Sequence, residues 1–180
     1  PVWQRIDADG RAFQAVHLKL TDRATAVTPR VHAVLVDTSA SQIGEHRLHA
    51  LAVTKALLAG LPKDHQVQLW AVDVAAEQLT ERLVAPQGAE IAAAEQTLSQ
   101  RVPLGATELG GAIDTVLKAL PADQPASLIY IGDGQSGAQP IDGSALTRLG
   151  QTLRARQTSF SSYGVGPALH LQMLGCLAQQ

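Results

Sequence analysis

The chain has 180 residues, 46% of them apolar and 3% aromatic, with 14 basic and 16 acidic side chains for a net charge of −2 and no long run of either sign. That length suits one domain with a substantial core, and the charge balance and scarcity of rings exclude a charge-driven hold on acidic membranes and a stacking platform for nucleic acid. No apolar stretch approaches the ~18 residues needed to cross a bilayer. The lone cysteine, Cys176, lies in an apolar helical pattern and reads as a core residue.

Residues 2–20 read as β structure: a strand at 2–6, a turn at Asp7-Ala8-Asp9-Gly10, and a second strand at 13–20 in which Val16, Leu18 and Leu20 alternate with His17 and Lys19. This segment is either a hairpin leaning on a larger sheet or the last strands of a preceding domain. The polar stretch 21–30, with Pro29, resembles a linker. The organisation expected is therefore an N-terminal β segment or linker at 1–30 and a domain at 31–180.

Residues 31–36 form a short run rich in Val and Leu, too short for an ordinary helix, and predict a fully buried parallel strand. It ends in Asp37, at the edge where ligands bind in open α/β sheets. Asp37, Ser39 and Ser41 alternate, so in an extended segment their oxygens project to one side. Carboxylate and hydroxyl donors without His or Cys suit a hard divalent cation such as Mg²⁺. A Ser-rich turn capped by Asp is the alternative.

A helix follows at 44–60, with Ala50, Val53, Leu57 and Leu61 on one face and Glu45, His49 and Lys55 opposite. His46 and His49 lie three apart on it and read as a solvated face rather than a metal pair. A second strand is expected at 66–73, a short edge strand at 79–84 and a helix at 90–100. The loop 104–111 leads into a helix whose Leu109, Ala112, Ile113, Val116, Leu117 and Leu120 keep the i, i+3, i+4, i+7 spacing. Thr107 stands at that helix's start, where the ordinary role is an N-cap, with Glu108 favoured by the dipole. Gly105, Gly110 and Gly111 permit unusual backbone angles, but the Lys-Ser/Thr ending of a phosphate loop is missing.

Residues 127–132 repeat the opening pattern and again end in an acid, Asp133. Two buried strands ending in Asp at one sheet edge bring two carboxylates to one crevice, where their repulsion calls for a cation, a proton or wide separation. A helix at 145–155, facing inward with Ala145, Leu146, Leu149 and Leu153, a strand at 158–165 and a helix at 169–178 through Leu171, Leu174 and Leu177 complete the alternation. It predicts a three-layer α/β/α fold, a doubly wound, mostly parallel, Rossmann-like sheet. One further strand is usual in such a design.

Asp37-Thr38-Ser39-Ala40-Ser41, Thr107 within Gly105-Ala106-Thr107-Glu108, and Asp133 within Ile131-Gly132-Asp133-Gly134 together resemble the von Willebrand factor type A domain with its metal-ion-dependent adhesion site. The similarity covers about residues 31–178. It implies that Ser39 and Ser41 coordinate a cation through their hydroxyls, that Thr107 is the third hydroxyl, and that Asp37 and Asp133 supply charge directly or through water. The ion implied is Mg²⁺, or Mn²⁺ or Ca²⁺, and Gln42, Glu108, Gly134 and Gln135 fall on the rim a partner would touch. The function implied is cation-dependent protein binding, as in adhesion, to a partner that presents an acidic side chain. No nucleic acid, membrane insertion or catalysis is expected of this fragment. Pro1 in place of Met suits an excised, monomeric domain of a larger protein, and the relatives lean toward secreted, periplasmic or cell-surface settings.

Two other readings compete. Within the same fold, the domain could serve as a scaffold or as the partner of an ATPase in a bacterial complex, with the metal structural or dispensable. An enzyme reading takes Asp37 and Asp133 as an aspartic-protease-like pair sharing a proton. That family is almost entirely β, its usual Gly after Asp-Thr is Ser39 here, and an aspartyl phosphatase would want Asp at that position.

Overall fold

A computed structural model of the chain describes residues 2–16 and 28–179. β1 (Val2–Ile6) and β2 (Ala12–Val16) pair antiparallel as a two-stranded sheet of their own. The Asp7 carboxylate accepts the N–H groups of Asp9 and Arg11 and so pins the turn between them. The expected continuation through residues 17–20 and most of the linker at 21–30 lie outside the described residues.

The larger sheet comprises β3 (Val31–Asp37), β4 (Gln66–Val72), β5 (Ala76–Gln78), β6 (Ala126–Gly132) and β7 (Thr158–Gly164) in the spatial order β5-β4-β3-β6-β7. All neighbours are parallel except β5, which runs antiparallel along the edge of β4. Helices α1 (Glu45–Gly60) and α2 (Ala89–Gln100) cover one face, and α3 (Leu109–Ala119), α4 (Gly143–Ala155) and α5 (Leu171–Ala178) cover the other. This is the three-layer, mostly parallel α/β/α fold expected from the strand and helix alternation.

β3 is central, and every one of its residues is buried because both faces are covered. Val31, Ala33 and Leu35 pack toward α3, α4 and α5, while Val34 and Val36 pack toward α1 and α2. The chain leaves β3 through α1 to reach β4 on one side, whereas β6 lies on the other. The loops that follow β3 and β6 therefore diverge, and a crevice opens at the carboxyl ends of these two strands.

Several local expectations are corrected. The edge strand is β5 rather than 79–84, because the chain reverses at once through Asp73–Ala75, where Asp73 N donates to Ala75 O. Beyond it, Val84 makes only an isolated bridge to Val67. The inward stripe of α1 is Arg47, Ala50, Thr54 and Leu58, with Val53, Leu57 and Leu61 beside it. Arg47 is tolerated there because its guanidinium donates to the carbonyls of Leu98 and Arg101 at the end of α2. In α4, Leu149, Gly150 and Leu153 are buried and Ala145 and Leu146 only partly so. Leu171 opens α5 exposed, leaving Leu174 and Leu177 to anchor it, and Cys176 is half-buried rather than core. His49 is exposed and meets Tyr163 edge-on, as a solvated residue does.

Candidate metal centre

Asp37, Ser39, Ser41, Thr107 and Asp133 meet in the crevice, brought there from three separate stretches of chain. The Ser39 and Ser41 hydroxyls lie 3.0 Å apart, and Ser41 donates to Asp133 Oδ2 at 2.6 Å. Thr107 Oγ1 stands 3.2 Å from both carboxylate oxygens of Asp37. Ser39, Ser41, Thr107 and Asp133 line a cleft of about 290 Å³ together with Gly105, Ala106, Gln135, Gly137, Pro167 and Ala168. Asp37 forms the layer beneath, fully buried, with Ser39 N donating to its Oδ1 at 2.9 Å.

Each loop is held in place by its own backbone. Ala40 N donates to Gly105 O and Leu104 N to Thr38 O, so the loop after β3 and the loop before α3 are stitched together. Gly105 adopts φ +76°, a backbone angle that a side chain would strain. Asp73, at the end of β4, braces both loops. Its carboxylate accepts from Thr38 Oγ1 and pairs with Arg101 at 2.9 Å, while its carbonyl accepts from Glu108 N.

Thr107 is not the N-cap of α3. Glu108 takes that position, its side chain accepting from Gly111 N at 3.0 Å, which releases the threonine hydroxyl toward Asp37. The same capping role turns Glu108 away from the cleft rim. Gln42 is fully buried, its Nε2 donating to Val165 O at 2.9 Å while Oε1 has no partner among the described residues. It ties the loop after β3 to the loop after β7 instead of facing a partner. Gly134 is likewise buried, packed against Leu174. Of the four rim residues expected, Gln135 alone is exposed and borders the cleft.

One participant is not singled out by the sequence reading. Tyr130, fully buried on β6, donates its hydroxyl to Asp37 Oδ2 at 2.7 Å. Gly132 makes room for it: a Cβ there would stand 2.5 Å from Asp37 Cβ and 2.6 Å from Tyr130 Cζ. A signal is present in the sequence, because a buried tyrosine must find a partner for its hydroxyl and Gly132 lies two residues on, on the same face of the strand.

Burial pushes the Asp37 carboxyl up from its ordinary value, and the charge of Asp133 adds to this, against the lowering bonds from Tyr130 and Ser39. Burial, reinforced by the Asp37 charge, raises the Tyr130 phenol well above its usual value and keeps it a donor. Two buried carboxylates and three hydroxyls form an all-oxygen donor set of the kind hard divalent cations take. Among the described residues no three His, Cys, Asp or Glu side chains converge on one point, so a cation here would depend on the hydroxyls. The two acids bond to hydroxyls and not to each other, and helices follow both of their strands, unlike the shared-proton pair of an all-β aspartic protease.

No curated protein matches the chain in sequence. Solved structures do match in fold. A von Willebrand factor type A protein from Catenulispora acidiphila superposes with a TM-score of 0.67 at 17% identity over 84% of this chain and 36% of its own length, so the present chain spans little more than a third of that protein. An aerotolerance-related membrane protein from Bacteroides fragilis gives 0.65 at 15% identity, covering 83% of this chain and 86% of that one. The manganese-loaded TRAP protein of Plasmodium vivax gives 0.63 at 19% identity, covering 83% and 62%. The family model described as von Willebrand factor type A domain matches residues 33–180. On that match, which takes in most of its length, the chain belongs to the von Willebrand factor type A domain family, whose members are in general protein-interaction modules rather than enzymes.

Proposed function

We propose that this domain is a divalent-cation-dependent protein-binding module. Ser39, Ser41 and Thr107 would hold Mg²⁺ or Mn²⁺ through their hydroxyls, with Asp37 and Asp133 supplying the negative charge. A cation so held offers a replaceable position to a carboxylate from another protein, and its charge stays strong because neutral hydroxyls make up most of the donors. The observation that carries the reading is the convergence of two buried carboxylates and three hydroxyls on a cleft open to solvent. The likeness in fold to a protein solved with manganese supports it.

The residues of the chain have distinct tasks in this reading. Tyr130 and Thr107 orient Asp37. Ser41 links Asp133 to Ser39, and Gln135 N fixes the other oxygen of Asp133 at 2.9 Å. The test is partner capture on the immobilised domain. Proteins retained in Mg²⁺ are released by EDTA, and Asp37→Ala retains none while keeping a native circular dichroism spectrum. Capture that survives chelation would move the interaction to another face and favour the scaffold role.

A further inference from the structure

Five loops stand at the carboxyl edge of the sheet, at 38–44, 73–75, 101–108, 133–142 and 165–170. Surface loops are ordinarily polar, yet here Ile43, Val74, Val102, Leu104 and Leu169 are between 41% and 76% exposed. Outside the N-terminal hairpin, every exposed large apolar side chain among the described residues lies in these loops or within one turn of them. Single apolar residues scattered over a surface mean little. Their confinement to the edge that carries the cleft marks a contact surface.

Charge narrows the class of partner. The five loops contain one Lys or Arg, Arg101, and its guanidinium is already engaged by Asp73 and Glu77. A polyanion such as nucleic acid or a sulfated glycan would meet no available fixed cation here, and a neutral glycan would leave the aliphatic side chains uncovered. A single carboxylate would find a positive charge only at a cation in the cleft. The aliphatic residues also adjoin the cleft: Leu104 shares the 101–108 loop with Gly105, which lines the cleft, and Val74 Cγ1, from the 73–75 loop, would stand 3.1 Å from a side chain on Gly105.

We propose that this edge docks a protein segment in which an Asp or Glu stands beside a bulky aliphatic residue, the acid entering the cleft and its neighbour lying on Val74 and Leu104. This rests on the cation-site reading above. The acid sets the orientation and the aliphatic contact supplies much of the affinity. Binding therefore needs the cation yet is only mildly weakened by salt, since few charges lie around the cleft to steer the encounter.

The experiment is selection of a displayed random-peptide library on the immobilised 180-residue chain in Mn²⁺, with elution by EDTA. The expected pool is enriched in Asp or Glu next to Leu, Ile, Val, Met or Phe. A synthetic peptide from it binds about tenfold or more weakly to the Val74→Ser/Leu104→Ser variant, which trims exposed side chains only. A pool whose acids have polar or basic neighbours, a pool with no enrichment, or unchanged affinity of the variant would overturn the proposal. Mn²⁺ uptake by the same chain, followed by electron paramagnetic resonance, separates the two failures. Normal uptake with an overturning pool rejects the aliphatic contact alone, and absent uptake rejects the cation site and the proposal with it.

Discussion

Replacing Tyr130 with Phe keeps the ring and removes two hydrogen bonds of its hydroxyl, the one donated to Asp37 and a longer one accepted from Gly134 N at 3.4 Å. The ring keeps its packing in the core shared with α3, α4 and α5, and the substitution deletes only the oxygen that stands 2.7 Å from Asp37 Oδ2. A bond to a buried charged group contributes about 1.5–3 kcal/mol, and its loss leaves the acceptor underbonded in a place water does not reach. Oδ2 keeps a second bond from Thr107 at 3.2 Å, which moves the expected cost to the lower part of that range, about 2 kcal/mol. For a domain of this size that corresponds to a fall of about 4–8 °C in Tm. Urea unfolding in EDTA, followed by circular dichroism, reads the cost. A Mn²⁺ titration of the same variant reads the site, where a less firmly held Asp37 is expected to weaken binding about tenfold, or about 1.4 kcal/mol. A variant with the wild-type midpoint and wild-type Mn²⁺ affinity would refute the role of the phenol.

Gly132→Ala is the companion change. Its Cβ would press on both Asp37 and the Tyr130 ring, so the variant is expected to lose at least as much stability as Tyr130→Phe, about 2 kcal/mol or more, and combining the two should cost less than their sum, because removing the phenol oxygen frees part of the space. Additive losses in urea unfolding would show that Gly132 and Tyr130 act separately. At the opposite edge of the sheet, burial and then the neighbouring His65 hold the His32 imidazole below its ordinary value, with the two rings stacked and their Nε2 and Nδ1 2.8 Å apart. A group whose folded value is lowered binds more protons when unfolded, so its contribution to stability is intact above about pH 6.5 and is lost as pH falls below it. The urea midpoint is therefore expected to drop between about pH 7.5 and about pH 5.5, and His32→Leu should flatten that slope. An equal slope in the variant would assign the effect to other groups.

What the sequence discloses depends on how far away each side chain's partner lies. The apolar runs that end in Asp37 and Asp133 are legible because a buried strand between two helical layers needs no polar alternation, and the stripe of α3 keeps its period because only apolar residues fill it. Thr107 is different. Read locally, it is a helix cap, but its hydroxyl partner is Asp37, 70 residues earlier, while Glu108 caps the helix. Arg47 spoils the apparent stripe of α1 in the same way, since nothing near it announces carbonyls 51 and 54 residues ahead. The turn before β5 carries neither Gly nor Pro, so the reversal leaves no mark and the sequence places the edge strand several residues too late. Gln42 reads as a polar loop residue on a rim. It is a buried strut because the loop after β7 offers it a carbonyl.

The most direct measurement is a Mn²⁺ titration of the chain, by calorimetry or electron paramagnetic resonance, beside the Ser39→Ala/Ser41→Ala double variant. Neither hydroxyl belongs to the hydrophobic core, so the variant is expected to keep the fold, verified by its circular dichroism spectrum. One Mn²⁺ is expected to bind per chain and to be displaced by Mg²⁺, with affinity in the double variant reduced by at least about a hundredfold, or about 2.8 kcal/mol. No uptake by the wild-type chain, or equal uptake by the variant, would contradict the cation site.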